Sequence, residues 1–344
     1  MHSFNLPKFL KCGAILGWSN SWYLFQGPFE TLSTVKKQPC DLAVQHFFDV
    51  QLCQLSASQK QVLTPEEFRS FLGSAPSQPA KVQWQGPSRQ DYLNSFNLHF
   101  ERIQNGELSK AVPFVFDYSD SRPNEVQIWH YLNQLSGAQN PLIPYGYWNE
   151  NEGFLGLTPE ILFHKKGLSV TSMALAGTEK KTGSPPRLQM DAKIKKEHQF
   201  VADELSLRWG ELGQVDRGPL EVLELPTLFH LLTNFRVQLK KEISAEEIVR
   251  LFHPTSAVGV SPYRKWRSIE SIPGQKERGF YGAPMLFQIS ELEQLAIVAL
   301  RQVQWDKNGM RLGAGGGILL ESQAQLEWEE VLAKIESVKK LLKT

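Results

Sequence analysis

At 344 residues, with 41% hydrophobic and 11% aromatic side chains, the chain can bury one large core or two modest ones. Its 37 Lys and Arg balance 36 Asp and Glu at a net charge of +1. That leaves no field for nucleic acid or an anionic membrane and points to small molecules or proteins as partners. Three cysteines, Cys12, Cys40 and Cys53, form no CxxC pair, which argues against a disulfide framework or a zinc site and for a reducing compartment.

The first apolar stretch, residues 12–18 behind Lys8 and Lys11, is too short and too soon polar for a signal peptide. No apolar run reaches 18 residues, so a cytoplasmic protein with no membrane segment is expected. Residues 22–25 and 46–52 read as short strands among polar turns. The turn-rich Gly73-Ser-Ala-Pro-Ser-Gln-Pro79, with Gly86-Pro87 close behind, is the best candidate break. It separates residues 1–90, β-rich and expected to belong to the same fold, from residues 91–344, where the chemistry lies.

Residues 91–104 predict a helix and 111–116 a strand, in which Pro113 lacks a ladder donor and implies an edge or a bulge. Residues 154–163 and 168–175 are β-like runs joined by a hairpin at Lys165-Lys166-Gly167. Residues 190–212 have helical spacing. Ser244-x-x-Glu247 is a capping box, and its short helix must stop near His253-Pro254. Two further β runs, 280–289 and 295–305, precede the turn Asp306-Lys-Asn-Gly309, which leads into Met310-Arg-Leu312. Residues 324–342 predict the last helix. Long β pairs with separate helices imply an α+β sheet sandwich rather than a doubly wound parallel sheet.

On that last helix Val331, Ile335, Val338 and Leu342 form an apolar stripe, with Trp328 alongside. Glu327, Glu330 and Lys334 share a line at the stripe's margin, where carboxylates partly stripped of water can hold a hard cation and an ammonium an anion. Alone, the line also reads as ion pairs on a surface helix. Just before it, Gly313-Ala-Gly-Gly-Gly317 favours a tight turn or a close backbone approach to a ligand, and its N–H groups could bind a carboxylate. It is neither a Walker loop nor a Rossmann fingerprint.

Together, Gly313-Ala-Gly-Gly-Gly-Ile318 and Leu326-Glu-Trp-Glu-Glu-Val-Leu-Ala-Lys334 resemble the C-terminal signature of chorismate-utilising enzymes. Five more blocks match in order: Gly156-Leu-Thr-Pro-Glu160, Ala174-Leu-Ala-Gly-Thr178, Lys196-Glu-His198, Leu251-Phe-His-Pro-Thr-Ser-Ala-Val-Gly259 and Arg278-Gly-Phe-Tyr-Gly-Ala-Pro284. The resemblance covers roughly residues 95–342 and implies a large antiparallel β-sheet sandwich flanked by helices.

By that resemblance Glu197 and Glu330 would hold Mg²⁺ against a carboxylate of chorismate, with Glu327 as a direct or water-mediated ligand. Arg301 and Tyr281 would grip the enolpyruvyl carboxylate, helped by the backbone of Gly315 and Gly317, by Lys334 and by Thr178. His253 is either near the ring or a structural, hydrogen-bonded histidine.

Lys110, in Gly-Glu-Leu-Ser-Lys-Ala-Val, stands where water-using branches carry a lysine, and Glu160 matches the general acid that protonates the departing C4 hydroxyl. Ala176 stands where one type of aminodeoxychorismate synthase carries a nucleophilic lysine. A glutaminase subunit is required only if the chain uses ammonia. The reading is therefore an isochorismate synthase, with salicylate synthase, an ammonia-using synthase or a catalytically silent relative as alternatives. Ser256, where proline is common, and Val260, where many members have glycine, depart from the pattern.

Overall fold

The computed structural model describes residues 4–32, 40–181 and 186–343. From the N-terminus, α1 (Leu6–Lys11) leads into β1 (Gly13–Trp18), β2 (Ser21–Thr31), β3 (Leu42–Val44), β4 (Cys53–Leu63) and α2 (Pro65–Leu72). After a connection without regular structure come α3 (Arg89–Gln104), β5 (Phe114–Ser119), α4 (Glu125–Leu135), β6 (Ile143–Trp148), β7 (Gly153–Thr158), β8 (Ile161–Lys166) and β9 (Ser169–Lys180). Next are α5 (Ala192–Leu212), the long hairpin β10 (Gly213–Glu224) and β11 (Leu228–Leu239), and α6 (Ala245–Phe252). Two 3-10 turns then precede β12 (Pro284–Ser290), β13 (Glu293–Val298), β14 (Gln302–Asp306), β15 (Gly309–Gly315) and α7 (Ala324–Leu342).

The strands pair antiparallel in the order β10-β11-β9-β8-β13-β12-β3-β4-β2-β1-β6-β7-β14-β15-β5. One buried cluster joins inward side chains of β1, β6 and β7 (Ala14, Tyr145, Phe154) to those of β3, β12 and β13 (Leu42, Met285, Ile297). The two halves of the sheet thus face each other as a sandwich, and alternation along each strand sends the other side chains outward. Helices α1–α4 and α7 cover one outer face around Phe9, Tyr92, Trp129 and Val331. Helices α5 and α6 cover the other around Val201, Trp209 and Phe252. Strands β1–β4, all from residues 1–90, lie between β12 and β6, in the middle of the strand order.

The helices begin and end where local chemistry directs. Ser244 Oγ accepts from Glu247 N–H, and α6 closes at His253. Gly167, at φ +56°, turns β8 into β9.

Four expected strands differ. The run 154–163 is two strands, β7 pairing with β6 and β14 and β8 with β9 and β13, with Pro159 and Glu160 at the corner between them. Residues 46–52 form a turn, with Asp49 N–H donating to His46 O at 3.1 Å, and the strand lies earlier, in β3. The run 280–289 is extended only from Pro284, because Phe280 to Ala283 turn through Ala283 N–H to Phe280 O at 3.1 Å. The run 295–305 is two strands: β13 pairs with β8 and β12, whereas β14 pairs with β7 and β15. Residues 299–301 carry the chain from one half of the sandwich to the other, and Arg301 takes φ +51° there.

Candidate active site

Lys110 lies between α3 and β5, on a segment stitched to two neighbours. Its carbonyl accepts from Ser261 N–H at 2.9 Å, and the next carbonyl, of Ala111, accepts from Ile318 N–H at 2.8 Å. Pro113 follows, so the ladder of β5 starts only at Phe114. The Lys110 side chain is fully buried. Its Nζ donates to Ser256 O at 2.5 Å and lies 3.9 Å from Glu197 Oε1. Ser256 N–H in turn donates to Glu204 Oε2 at 2.9 Å, a bond that a proline at this position could not make.

Glu160 sits at the corner between β7 and β8. Its N–H donates to Thr158 Oγ1 at 3.1 Å, and its carbonyl accepts from Val298 N–H at 3.1 Å. Burial raises the Glu160 carboxyl to about 8, although the Lys110 and Lys334 ammoniums pull it down. Burial likewise lowers Lys110 from the ordinary lysine value, against the opposing pull of Glu197, Glu204 and Glu160. Each group is pushed toward its neutral form in the same interior, the direction required of an acid–base pair.

A second group gathers around the end of the glycine run. Gly313 and Gly315 are not turn residues but part of β15, where a Cβ would press on Phe116 and Phe114. Gly316 and Gly317 face carboxylates. A Cβ on Gly316 would come 3.3 Å from Glu330 Oε1 and 3.7 Å from Glu327 Oε2, and one on Gly317 would collide with Glu197 Oε1. Glycine is needed here for close approach, and the near neighbours are acidic side chains. Helix α5 thus brings Glu197, and α7 brings Glu327 and Glu330, to one stretch of backbone.

Each of these carboxylates has a lysine beside it. Lys110 lies by Glu197, Lys193 Nζ is 2.5 Å from Glu327 Oε1, and Lys334 Nζ is 2.7 Å from Glu330 Oε1. Burial raises the carboxyls of Glu197 and Glu327, and the charge of Glu330 adds to it in both, against the pull of the neighbouring lysines. Among the described residues no three His, Cys, Asp or Glu side chains stand close enough together to hold a metal ion. In kind and number, however, the three carboxylates suit Mg²⁺, which takes a few carboxylates and leaves its other positions to water and substrate. The donor set fits the ion; its present spacing is that of three ion pairs.

The third group is basic. Arg301, aimed by its left-handed backbone, is half-buried and drawn down to about 10 by desolvation. Its Nη2 donates to His230 Nε2 at 2.8 Å, and His230 Nδ1 lies 3.1 Å from Thr178 Oγ1. Burial first, then the charges of Arg301 and Lys334, holds His230 well below the ordinary histidine value, so it is neutral and able to accept from Arg301. Sequence reasoning missed His230; its one signal was a polar ring inside the apolar run Leu228-Phe-His-Leu-Leu232. The Tyr281 hydroxyl is raised by burial, against the pull of Lys334, Arg278 and Gly315 N–H. Lys334 Nζ also donates to Gly315 O at 2.9 Å. A cleft of about 640 Å³ lined by Thr178, Leu228, Leu326, Glu330 and Ala333 opens beside this group.

His253 stands apart. It caps α6, Nε2 lies 2.9 Å from Phe47 O, and its ring packs against Phe47. Burial lowers it to about 4, and the charges of Arg278 and Arg208 add to that.

A buried lysine and glutamate, carboxylates from two helices and a basic group thus gather on one antiparallel sandwich. The profile described as chorismate binding enzyme matches residues 31–343, and the chain belongs to that family. It is 28% identical over 248 residues to the isochorismate synthase MenF of Haemophilus influenzae, covering 69% of this chain and 57% of the relative. It is 26% identical over 265 residues to anthranilate synthase component 1 of Pseudomonas aeruginosa, covering 72% of this chain and 52% of the relative. The matches span little more than half the length of these curated relatives. Among solved structures, one described as the 2,3-dihydroxybenzoate-specific isochorismate synthase DhbC of Bacillus anthracis superposes with a TM-score of 0.80 at 20% identity, over 98% of both chains. MenF of Escherichia coli superposes at 0.75 and 20% identity, over 99% of this chain and 92% of that one. These confirm the antiparallel α+β sandwich.

Proposed function

We propose that the protein is a Mg²⁺-dependent isochorismate synthase, in which Lys110 activates water and Glu160 protonates the departing hydroxyl. The observation that carries this reading is the buried pair itself: a lysine pushed down and a glutamate pushed up to about 8, each within range of the other's charge. Kinship with isochorismate synthases at 28% identity supports the substrate.

Water approaches one face of the chorismate ring. The neutral amine of Lys110 keeps its hydrogen bond to Ser256 O while its lone pair takes a proton from the water. A C–O bond forms at ring C2, the ring double bond shifts, and the C4–O bond breaks as the Glu160 carboxyl delivers its proton to the leaving hydroxyl. Lys110 ends as the ammonium and Glu160 as the carboxylate. Arg301, oriented by His230 and Thr178, presents a planar fork to a substrate carboxylate, and Tyr281 and Lys334 add hydrogen bonds and charge. Glu197 and Glu330, with Glu327 directly or through water, would hold Mg²⁺, whose positive charge offsets that of the ring carboxylate.

Incubating the pure full-length chain with chorismate and Mg²⁺ and separating the products by chromatography tests the reading. Isochorismate that forms with Mg²⁺ and not in chelator is expected. Salicylate with pyruvate, an amino product that needs ammonia, or unchanged chorismate would each replace it with one of the alternatives.

A further inference from the structure

Three ammoniums face three carboxylates in the acidic group, and they are not equally fixed. Lys110 is fully buried and tied to Ser256 O; Lys334 is tied to Gly315 O as well as to Glu330. Lys193 differs. Its side chain is 25% exposed, and among the described residues its one hydrogen bond is to Glu327 Oε1. It also stands two residues after the N-cap Asp191 of α5, in a first turn with no acidic residue. The positive end of the helix dipole disfavours a cation there, so the carboxylates, not the helix, account for its position.

We propose that Lys193 is a built-in counter-cation of the metal site: its ammonium occupies the Glu197–Glu327–Glu330 group when Mg²⁺ is absent and must swing into solvent for the ion to enter. The proposal rests on the metal reading above. Its flexible stem and partial exposure make Lys193 the one of the three lysines able to leave without breaking a second bond. Metal entry and Lys193 departure are then a single exchange, and Mg²⁺ affinity is set below what the three carboxylates would give alone.

The test is calorimetric titration of the metal-stripped full-length chain with Mg²⁺, without chorismate. Lys193→Gln is expected to bind Mg²⁺ on the order of tenfold more tightly, the change expected when one partly buried ion pair no longer has to break. Lys193→Arg keeps the competing charge and should bind no more tightly than wild type. Lys196→Gln removes one positive charge from the same helix, where Lys196 pairs with exposed Glu321, and should leave affinity unchanged.

In the wild-type protein, reductive methylation of Lys193, followed by mass spectrometry, should quicken when Mg²⁺ is added; this readout needs no variant. Equal affinity of wild type and Lys193→Gln, equal tightening by Lys196→Gln, or methylation indifferent to Mg²⁺ would overturn the role of Lys193 while leaving the metal site standing. No Mg²⁺ uptake by any of the proteins would overturn both.

Discussion

Two buried titratable side chains, held by backbone partners far apart in sequence, set the expected chemistry. Removing Lys110 should lower kcat by roughly 100- to 10,000-fold, the range for loss of a positioned general base, with a smaller change in KM. Steady-state kinetics on Lys110→Ala checks this, and unchanged turnover would refute water activation by Lys110.

Glu160 gives the pH dependence. Its folded pKa is raised from 4.5 to about 8, so it is protonated below that value and loses its proton above it. As the acid that protonates the leaving hydroxyl, it should impose a fall in kcat/KM as pH rises through about 8. Glu160→Gln should be slow throughout and lack that limb; a profile flat to pH ~10 in the wild type would contradict the assignment. The residue types at these positions were legible in the sequence through the motif blocks. Their shift toward the neutral forms was not, because it comes from desolvation by surroundings distant in sequence. His230 escaped for the same reason: alone, a histidine in an apolar strand says nothing of the arginine that will point at it.

At the scale of elements, regular segments with local signals were readable and irregular ones were not. Helix α7 matches its periodicity, and the hairpin at Lys165-Lys166-Gly167 matches its glycine. The run 295–305 reads as one strand because hydropathy continues across Leu300, yet Arg301 must bend the chain between sheet halves. The glycine run reads as a loop, but it is largely strand, its missing side chains serving close packing against β5 and the acidic helices.

Arg278 shows how such segments are fixed. Fully buried, it donates from Nη1 to Val258 O at 2.7 Å and from Nη2 to Val112 O at 3.0 Å, stacked between Phe47 and Phe114. It therefore joins the loop after α6 to the segment after Lys110. Arg278→Leu leaves those carbonyls without their donor and should cost about 3 kcal/mol in urea denaturation, because buried acceptors lose charge-assisted bonds. A loss under 0.5 kcal/mol would show that the loops hold without it.

For the whole molecule, composition and hydropathy sufficed for the α+β class, but the strand order did not follow from them. Strands β1–β4 pair between β12 and β6, so the first 90 residues are interleaved with the rest of the sheet rather than appended to it. Such long-range pairing leaves no local trace, and the turn-rich stretch at residues 73–79 marks only the connection from α2 to α3. The arrangement has a functional consequence. Lys110, Glu160 and the acidic helices are supplied by separate stretches of chain and meet only when the sandwich closes.

Whether that meeting point activates water is tested most directly by turning over chorismate with Mg²⁺ in H₂¹⁸O and weighing the product. The mechanism predicts isochorismate carrying one ¹⁸O at C2, and loss of that product in Lys110→Ala. An isochorismate without solvent oxygen, or labelled product from Lys110→Ala at the wild-type rate, would contradict it.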